Sequence, residues 1–174
     1  MKNETLDIIS TRRSIKGYTD TPVPEEILEK IIKAGTEAAS GRNLQGAIIV
    51  AVTNKEIRDR LSQANADVLG ASSDPFYGAP TVLVVLANKN IRTSIYDASL
   101  VAGNIMIAAH ALGVGSCWIH RAREVFDMPE WKEWLKSIGV AGEWEGVANM
   151  IVGYPSGEYP KKKDVLPGRV YYVK

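Results

Sequence analysis

Apolar residues recur along the chain with two periods. Ile27, Leu28, Ile31 and Ile32 fall on one helical face. Pro24, Glu25 and Glu26 precede them, a proline suited to a first helical turn and acids that complement the positive end of a helix dipole, so a helix to about Gly35 is expected. Glu4 to Arg12 patterns as a shorter helix, and Arg12 to Lys16 as an extended segment ahead of the turn residues Gly17, Asp20 and Pro22. Ala47 to Val52 and Thr81 to Ala87 are apolar runs of the kind buried on both faces of a sheet, and Val114 to Ile119 and Gly146 to Val152 complete the strands. Thr53 and Glu56 have capping-box spacing and predict a helix through about Leu61. Asn65 to Ala79 reads as irregular, and Pro129 to Ser137 as a short helix carrying Trp131 and Trp134.

The stretch from about Thr93 to Leu112 is helical in pattern but apolar nearly all round: Leu100, Val101, Ile105, Met106, Ile107 and Leu112 cannot share one narrow stripe. Such a helix needs cover on more than one side, its own sheet on one and a second subunit on the other. Beyond Gly153 the chain reads as extended, with prolines at 155, 160 and 167 and then Val170, Tyr171, Tyr172 and Val173. Without a hairpin partner, this strand-forming tail is expected to add to a sheet edge, in its own chain or on another subunit. Strands interleaved with helices in this way imply an α+β sandwich or an α/β layer.

At 174 residues and 45% hydrophobic, the chain can bury the core of one domain, and no low-complexity stretch divides residues 1–174. Cys117 has no cysteine partner and the N-terminus lacks a signal-type apolar stretch, so a cytoplasmic location is expected. The window from Ala98 to Leu112 is too short to cross a bilayer. The formal net charge is only +1, which disfavours a continuous nucleic-acid-binding face.

Positive charge is nevertheless concentrated at two places, Arg12-Arg13-Ser14-Ile15-Lys16 and Pro160-Lys161-Lys162-Lys163. In an extended segment Arg12, Ser14 and Lys16 share one side, so two cations and a hydroxyl converge on one small anion. A forked guanidinium with a point-charge ammonium suits a phosphate and a polar ring edge. Ser40, Asn43 and Gln45 lie in the loop before the first strand, and both amides offer a donor and an acceptor to a ring with alternating carbonyl and N–H groups. Cys117, inside a buried strand, reads as structural. His120 is a candidate acid or base, but His110 is the only other histidine and no metal constellation results. Paired carboxylates, a nucleophile elbow, a Walker loop and a dinucleotide fingerprint are all missing, so side chains alone are not expected to carry the chemistry.

These motifs, in this order, resemble the FMN-dependent nitroreductase family over almost the whole chain. Its Arg-Arg-Ser-x-Arg/Lys motif stands as Arg12, Arg13, Ser14 and Lys16; its Pro-Ser-x-x-Asn-x-Gln-Pro-Trp loop as Ala39, Ser40, Asn43 and Gln45. Ala79-Pro80, the apolar helix from Asn104 to Gly113, the intact Gly115 to Ile119, Gly153-Tyr154-Pro155, and Lys161 with Lys163 for the phosphate-binding Lys-x-Arg complete the likeness.

The resemblance implies an α+β sandwich with a mostly antiparallel central sheet flanked by helices, a C-terminal tail reaching a partner subunit, and a homodimer with FMN at the interface. Arg12, Arg13, Ser14 and Lys16 would contact the flavin's phosphate, ribityl and pyrimidine side, Lys161 and Lys163 its phosphate, Asn43 its ring. A backbone N–H at His120, flanked by Ile119 and Arg121, would lie near N5. The implied activity is hydride transfer from NAD(P)H through FMN to a nitroaromatic, quinone or similar acceptor; other flavin reactions (dehalogenation, dehydrogenation, flavin breakdown) or flavin binding without turnover are the alternatives. The chain departs from the family pattern at Ala39, at Gly46-Ala47 and at Lys163 where arginine is usual, and it is short, leaving Asn65 to Ala79 and Met128 to Trp144 to wall a substrate pocket.

Overall fold

The computed structural model describes residues 3–174. Helix α1 (Glu4–Thr11) starts where the Asn3 side chain accepts from the Leu6 N–H at 3.1 Å. Helix α2 (Glu25–Thr36) follows Pro24 as expected. Strand β1 (Ala47–Val52) leads into α3 (Lys55–Leu69), β2 (Thr81–Asn88), α4 (Ser94–Ala111), β3 (Gly115–Ile119), two short helices α5 (Ala122–Asp127) and α6 (Pro129–Ser137), and β4 (Trp144–Gly153).

The strands form one four-stranded sheet in the order β1-β2-β4-β3, each pair antiparallel. Its two faces bear separate cores, which explains the uninterrupted apolar runs. On one face Val82, Val84, Leu86, Cys117, Ile119 and Ile151 pack with Leu61 of α3, Phe126 of α5 and Trp131 of α6. On the other, Leu83, Val85, Met150 and Val152 meet Leu28 and Ile31 of α2 and Ala98, Val101, Ile105 and Ala109 of α4. Each such buried large side chain contributes about 1.5–3 kcal/mol of hydrophobic free energy. The architecture is therefore the expected α+β sandwich.

Helix α3 differs from the sequence expectation at both ends. Its cap is Asn54, whose side chain accepts from the Ile57 N–H at 3.0 Å, and it runs past Leu61 to Leu69 before Gly70 closes it with φ 70°. Two of the polar residues that disguised its second half, Ser62 and Asn65, are buried and hydrogen-bonded. Ser62 donates to Asp74, Asn65 donates to the Leu61 carbonyl at 3.0 Å, and Asn149 of β4 donates to Asn65 Oδ1 at 3.1 Å.

Helix α4 buries Ala98, Val101, Ala102, Ile105 and Ala109 against the sheet and leaves Ile95, Tyr96 and Leu100 exposed. From Ser156 onward the tail is exposed and joins no strand within the chain, so its apolar Val165, Leu166, Val170, Tyr171 and Tyr172 remain in the open. Among the described residues no helix is long and apolar enough to cross a membrane.

Candidate functional site

The extended segment after α1 docks on the edge of the sheet. Ser14 bridges Ser116 of β3 in parallel, and the Ile15 N–H donates to the Ser116 carbonyl at 3.0 Å. Ile15 is thereby buried, while Ser14 and Lys16 on the alternate side stay exposed. The C-terminal tail then returns antiparallel along the same segment. The Thr19 N–H donates to the Tyr154 carbonyl (2.9 Å), Tyr18 bridges Pro155, and the Ser156 N–H donates to the Gly17 carbonyl (3.0 Å). Gly17 permits this approach, since a Cβ there would stand 3.1 Å from Ser156 Oγ.

The two basic clusters therefore meet. Arg12, Arg13, Ser14 and Lys16 face Lys161, Lys162 and Lys163 across a cleft of about 720 Å³, closed by Ile9, Ser10, Pro160 and Val165, with no carboxylate among its lining residues. Arg12 Nη1 is buried with no hydrogen-bond partner in the protein. Arg13 instead turns back on α1, its Nη1 donating to the carbonyls of Ser10 (3.0 Å) and Arg12 (2.7 Å). A second cleft, about 520 Å³ between Lys89, Arg123, Glu124, Asp127, Trp144 and Glu145, has the opposite character. There Arg123 pairs with Glu145 at 2.7 Å and Lys89 with Asp127 at 3.6 Å, so little field is left for an anion.

Lys16 ends the row. Its ammonium lies 5.7 Å from the ring centroid of Tyr77, a residue held in the left-handed region at φ 53°. Asp74 shapes that turn by accepting from the N–H groups of Phe76 and Gly78, both at 2.8 Å, and Arg58 anchors Asp74 at 2.6 Å. Tyr77 was missed in the sequence because its stretch carries no period, although Gly78-Ala79-Pro80 marks a turn. His120, exposed, follows directly on Ile119 at the end of β3. Ile119 is buried, and Arg121 turns the chain into α5 with φ 71° and a buried Nε that has no partner. Cys117 lies under the same row; burial pushes its thiol up despite Ser14, Lys16 and Arg12, which suits a structural residue. Among the described residues no group of His, Cys, Asp and Glu could hold a metal.

The loop with Ser40, Asn43 and Gln45 lies elsewhere. Its Gly41 N–H donates to Asp97 Oδ1 at 3.0 Å near the start of α4, whereas the Arg12 segment meets His110 near the end of that helix. Asp97 and His110 are separated by roughly 20 Å of α-helix, so one chain does not bring this loop to the cleft. Ser40 Oγ accepts from the Gln45 N–H (3.1 Å), and Gln45 Nε2 donates to Asn43 Oδ1 (3.1 Å). Arg42, Asn43 and Gln45 all have φ near +50°, a strained backbone of the kind that concentrates at binding sites.

Fold and cleft together define an α+β protein whose two chain ends build one small, acid-free cationic pocket on the edge of an antiparallel sheet. The chain belongs to the nitroreductase family, whose model matches residues 9–73 and 67–154. It is 29% identical, with a TM-score of 0.89, to a nitroreductase with bound FMN from Bacteroides fragilis, over 99% of this chain and 100% of that one. An Archaeoglobus fulgidus protein is 30% identical over 98% of both chains. The NADPH-flavin oxidoreductase of Vibrio harveyi is 28% identical over 97% of this chain and 72% of its own.

Proposed function

We propose that the chain is an FMN-dependent oxidoreductase that moves hydride from NADH or NADPH to a nitroaromatic, quinone or similar small electrophilic acceptor in ping-pong order, as a homodimer with the cofactor at the subunit interface. The observation that carries this reading is the cleft where Arg12, Ser14, Lys16, Lys161 and Lys163 converge without a carboxylate. The residues fit a flavin phosphate. A buried donor without a partner costs about 1–3 kcal/mol, and a phosphate oxygen against Arg12 Nη1 would remove that cost. The bound FMN of the Bacteroides fragilis relative and the name of the Vibrio harveyi enzyme support the same cofactor and reductant.

Bound in the cleft, FMN supplies the hydride-transfer chemistry. Arg12 offers its fork to the phosphate, and Lys161 and Lys163 add point charges. The Ser14 hydroxyl and Lys16 would hold the ribityl and pyrimidine side, where the ammonium would favour negative charge on the ring. Backbone N–H groups around His120, with Ile119 and Arg121, are assigned to the N5 side. Ser40, Asn43 and Gln45 reach the ring from the second subunit, since roughly 20 Å of helix separates them from the cleft in their own chain. A single open ring face would receive reductant and acceptor in turn, and that sharing is the basis of the proposed ping-pong order.

The test is the visible spectrum of protein purified without added cofactor. Yellow protein that bleaches with NAD(P)H under anaerobic conditions and recovers its colour with a quinone or nitroaromatic is the expected result. Protein that neither carries nor takes up FMN overturns the reading, and strictly ternary-complex kinetics overturn the order.

A further inference from the structure

His110 bridges the two arms of the cationic cleft. It is the penultimate residue of α4, with Nε2 2.9 Å from Thr11 Oγ1 and Nδ1 3.3 Å from the Tyr159 hydroxyl. The Tyr159 and His110 rings stack, centroids 6.1 Å apart at 27°, and the same hydroxyl lies 3.3 Å from the Thr11 carbonyl. Thr11 Oγ1 donates its own proton to the Asp7 carbonyl at 2.7 Å. It therefore accepts from Nε2–H, and the single Tyr159 hydroxyl proton is shared between the Thr11 carbonyl and the unprotonated Nδ1, each at 3.3 Å. Burial, reinforced by Arg12 and Arg13, pushes the imidazole below its ordinary value and favours the neutral ring.

The sequence neighbours of this triangle give it meaning. Thr11 immediately precedes Arg12, and Tyr159 stands two residues before Lys161. Among the described residues, backbone hydrogen bonds from the tail to the body end at Ser156, and the Tyr159 contacts are the last polar ties before the lysines. Past that point the chain is exposed, and lysine side chains carry about 2 kcal/mol of rotamer entropy. A phosphate gripped from both ends of the chain thus depends on what fixes the gap between them.

We propose that His110 is a positioning residue for the cofactor phosphate, setting through Thr11 and Tyr159 the separation between Arg12 and the Lys161–Lys163 segment. The inference rests on the FMN reading above and adds to it a residue that touches neither ring nor phosphate. Its action through the lysines gives it a signature that general damage to the fold does not share.

The experiment is a double-mutant cycle on FMN release from the holoprotein, followed by the recovery of free-flavin fluorescence on dilution. His110→Ala should raise the dissociation constant about three- to tenfold, the range set by one or two hydrogen bonds. Tyr159→Phe, at a half-exposed position where nothing is uncored, should move it in the same direction by less. In a Lys161→Ala background the His110→Ala effect should shrink to under about twofold, because coupled residues are non-additive. An equal factor in both backgrounds, or FMN held as tightly by His110→Ala and Tyr159→Phe as by the parent, overturns the inference alone. A parent protein that takes up no FMN overturns the reading of the cleft and this inference with it.

Discussion

Arg12 answers two demands at once. Its backbone closes α1, the N–H donating to the Ile8 carbonyl at 3.1 Å, while its guanidinium keeps Nη1 buried and unpaired beside three lysines. Arg13 divides its guanidinium: Nη1 donates to the carbonyls of Ser10 and Arg12, while the buried Nε has no partner in the protein and the residue still lines the cleft. Arg12→Ala should therefore weaken FMN binding by about 1.5–3 kcal/mol, the worth of a charge-assisted contact. Arg12→Lys should recover only part of this, since charge returns without the fork. Equilibrium dialysis against buffer measures both, and an Arg12→Ala protein that retains flavin as the parent does removes Arg12 from the phosphate site. At this scale the cations were legible because local charge density in a near-neutral chain is rare enough to be noticed. Tyr77 and the His110–Tyr159 pair were not, because each depends on a contact between segments far apart in the chain.

Among the elements, the junction of β3 with α5 is the most constrained. A Cβ on Gly146 of β4 would stand 2.1 Å from the Ala122 carbonyl oxygen and 2.3 Å from its carbon, backbone that no side-chain rotation can move aside. The start of α5, and with it the turn through His120 and Arg121, rests directly on that glycine. Gly146→Ala should destabilise the protein by about 1–3 kcal/mol or more, as overpacked sites do, and loosen the flavin as α5 shifts. A denaturant midpoint within error of the parent would show that the junction is slack. Gly146 looked from the sequence like an ordinary strand start, since glycine announces freedom and not what presses on it. Strands β1 and β2 were readable because sheet faces covered on both sides force continuous apolar runs. The second half of α3 was not, because Ser62 and Asn65 spend their polarity inside the fold on Asp74, Leu61 and Asn149, where composition alone suggests solvent. Helix α5 is too short for its period to register.

For the molecule as a whole, one chain offers half of two things. Its cleft lies by the end of α4 and its strained amide loop by the start, while the outer face of that helix exposes Ile95, Tyr96 and Leu100 and the tail leaves Tyr171 and Tyr172 uncovered. In the proposed homodimer, a two-fold axis across the middle of α4 would bring each loop toward the other chain's cleft and would cover the outer faces of both α4 helices. The over-apolar helix was visible in the sequence; the opposite placement of loop and cleft was not, since it requires knowing which end of α4 each segment touches. Leu100→Glu places a charge on the outer face of α4, where desolvating a carboxylate without a partner costs several kcal/mol. The expected outcome is a chain that runs as a monomer in size-exclusion chromatography, keeps its far-ultraviolet circular dichroism, and loses its yellow colour. A variant that is monomeric and still yellow would mean that Arg12 and the tail lysines hold FMN without the loop. The partner's Ser40, Asn43 and Gln45 would then have no part in binding, and the strain at Arg42, Asn43 and Gln45 would need a different use.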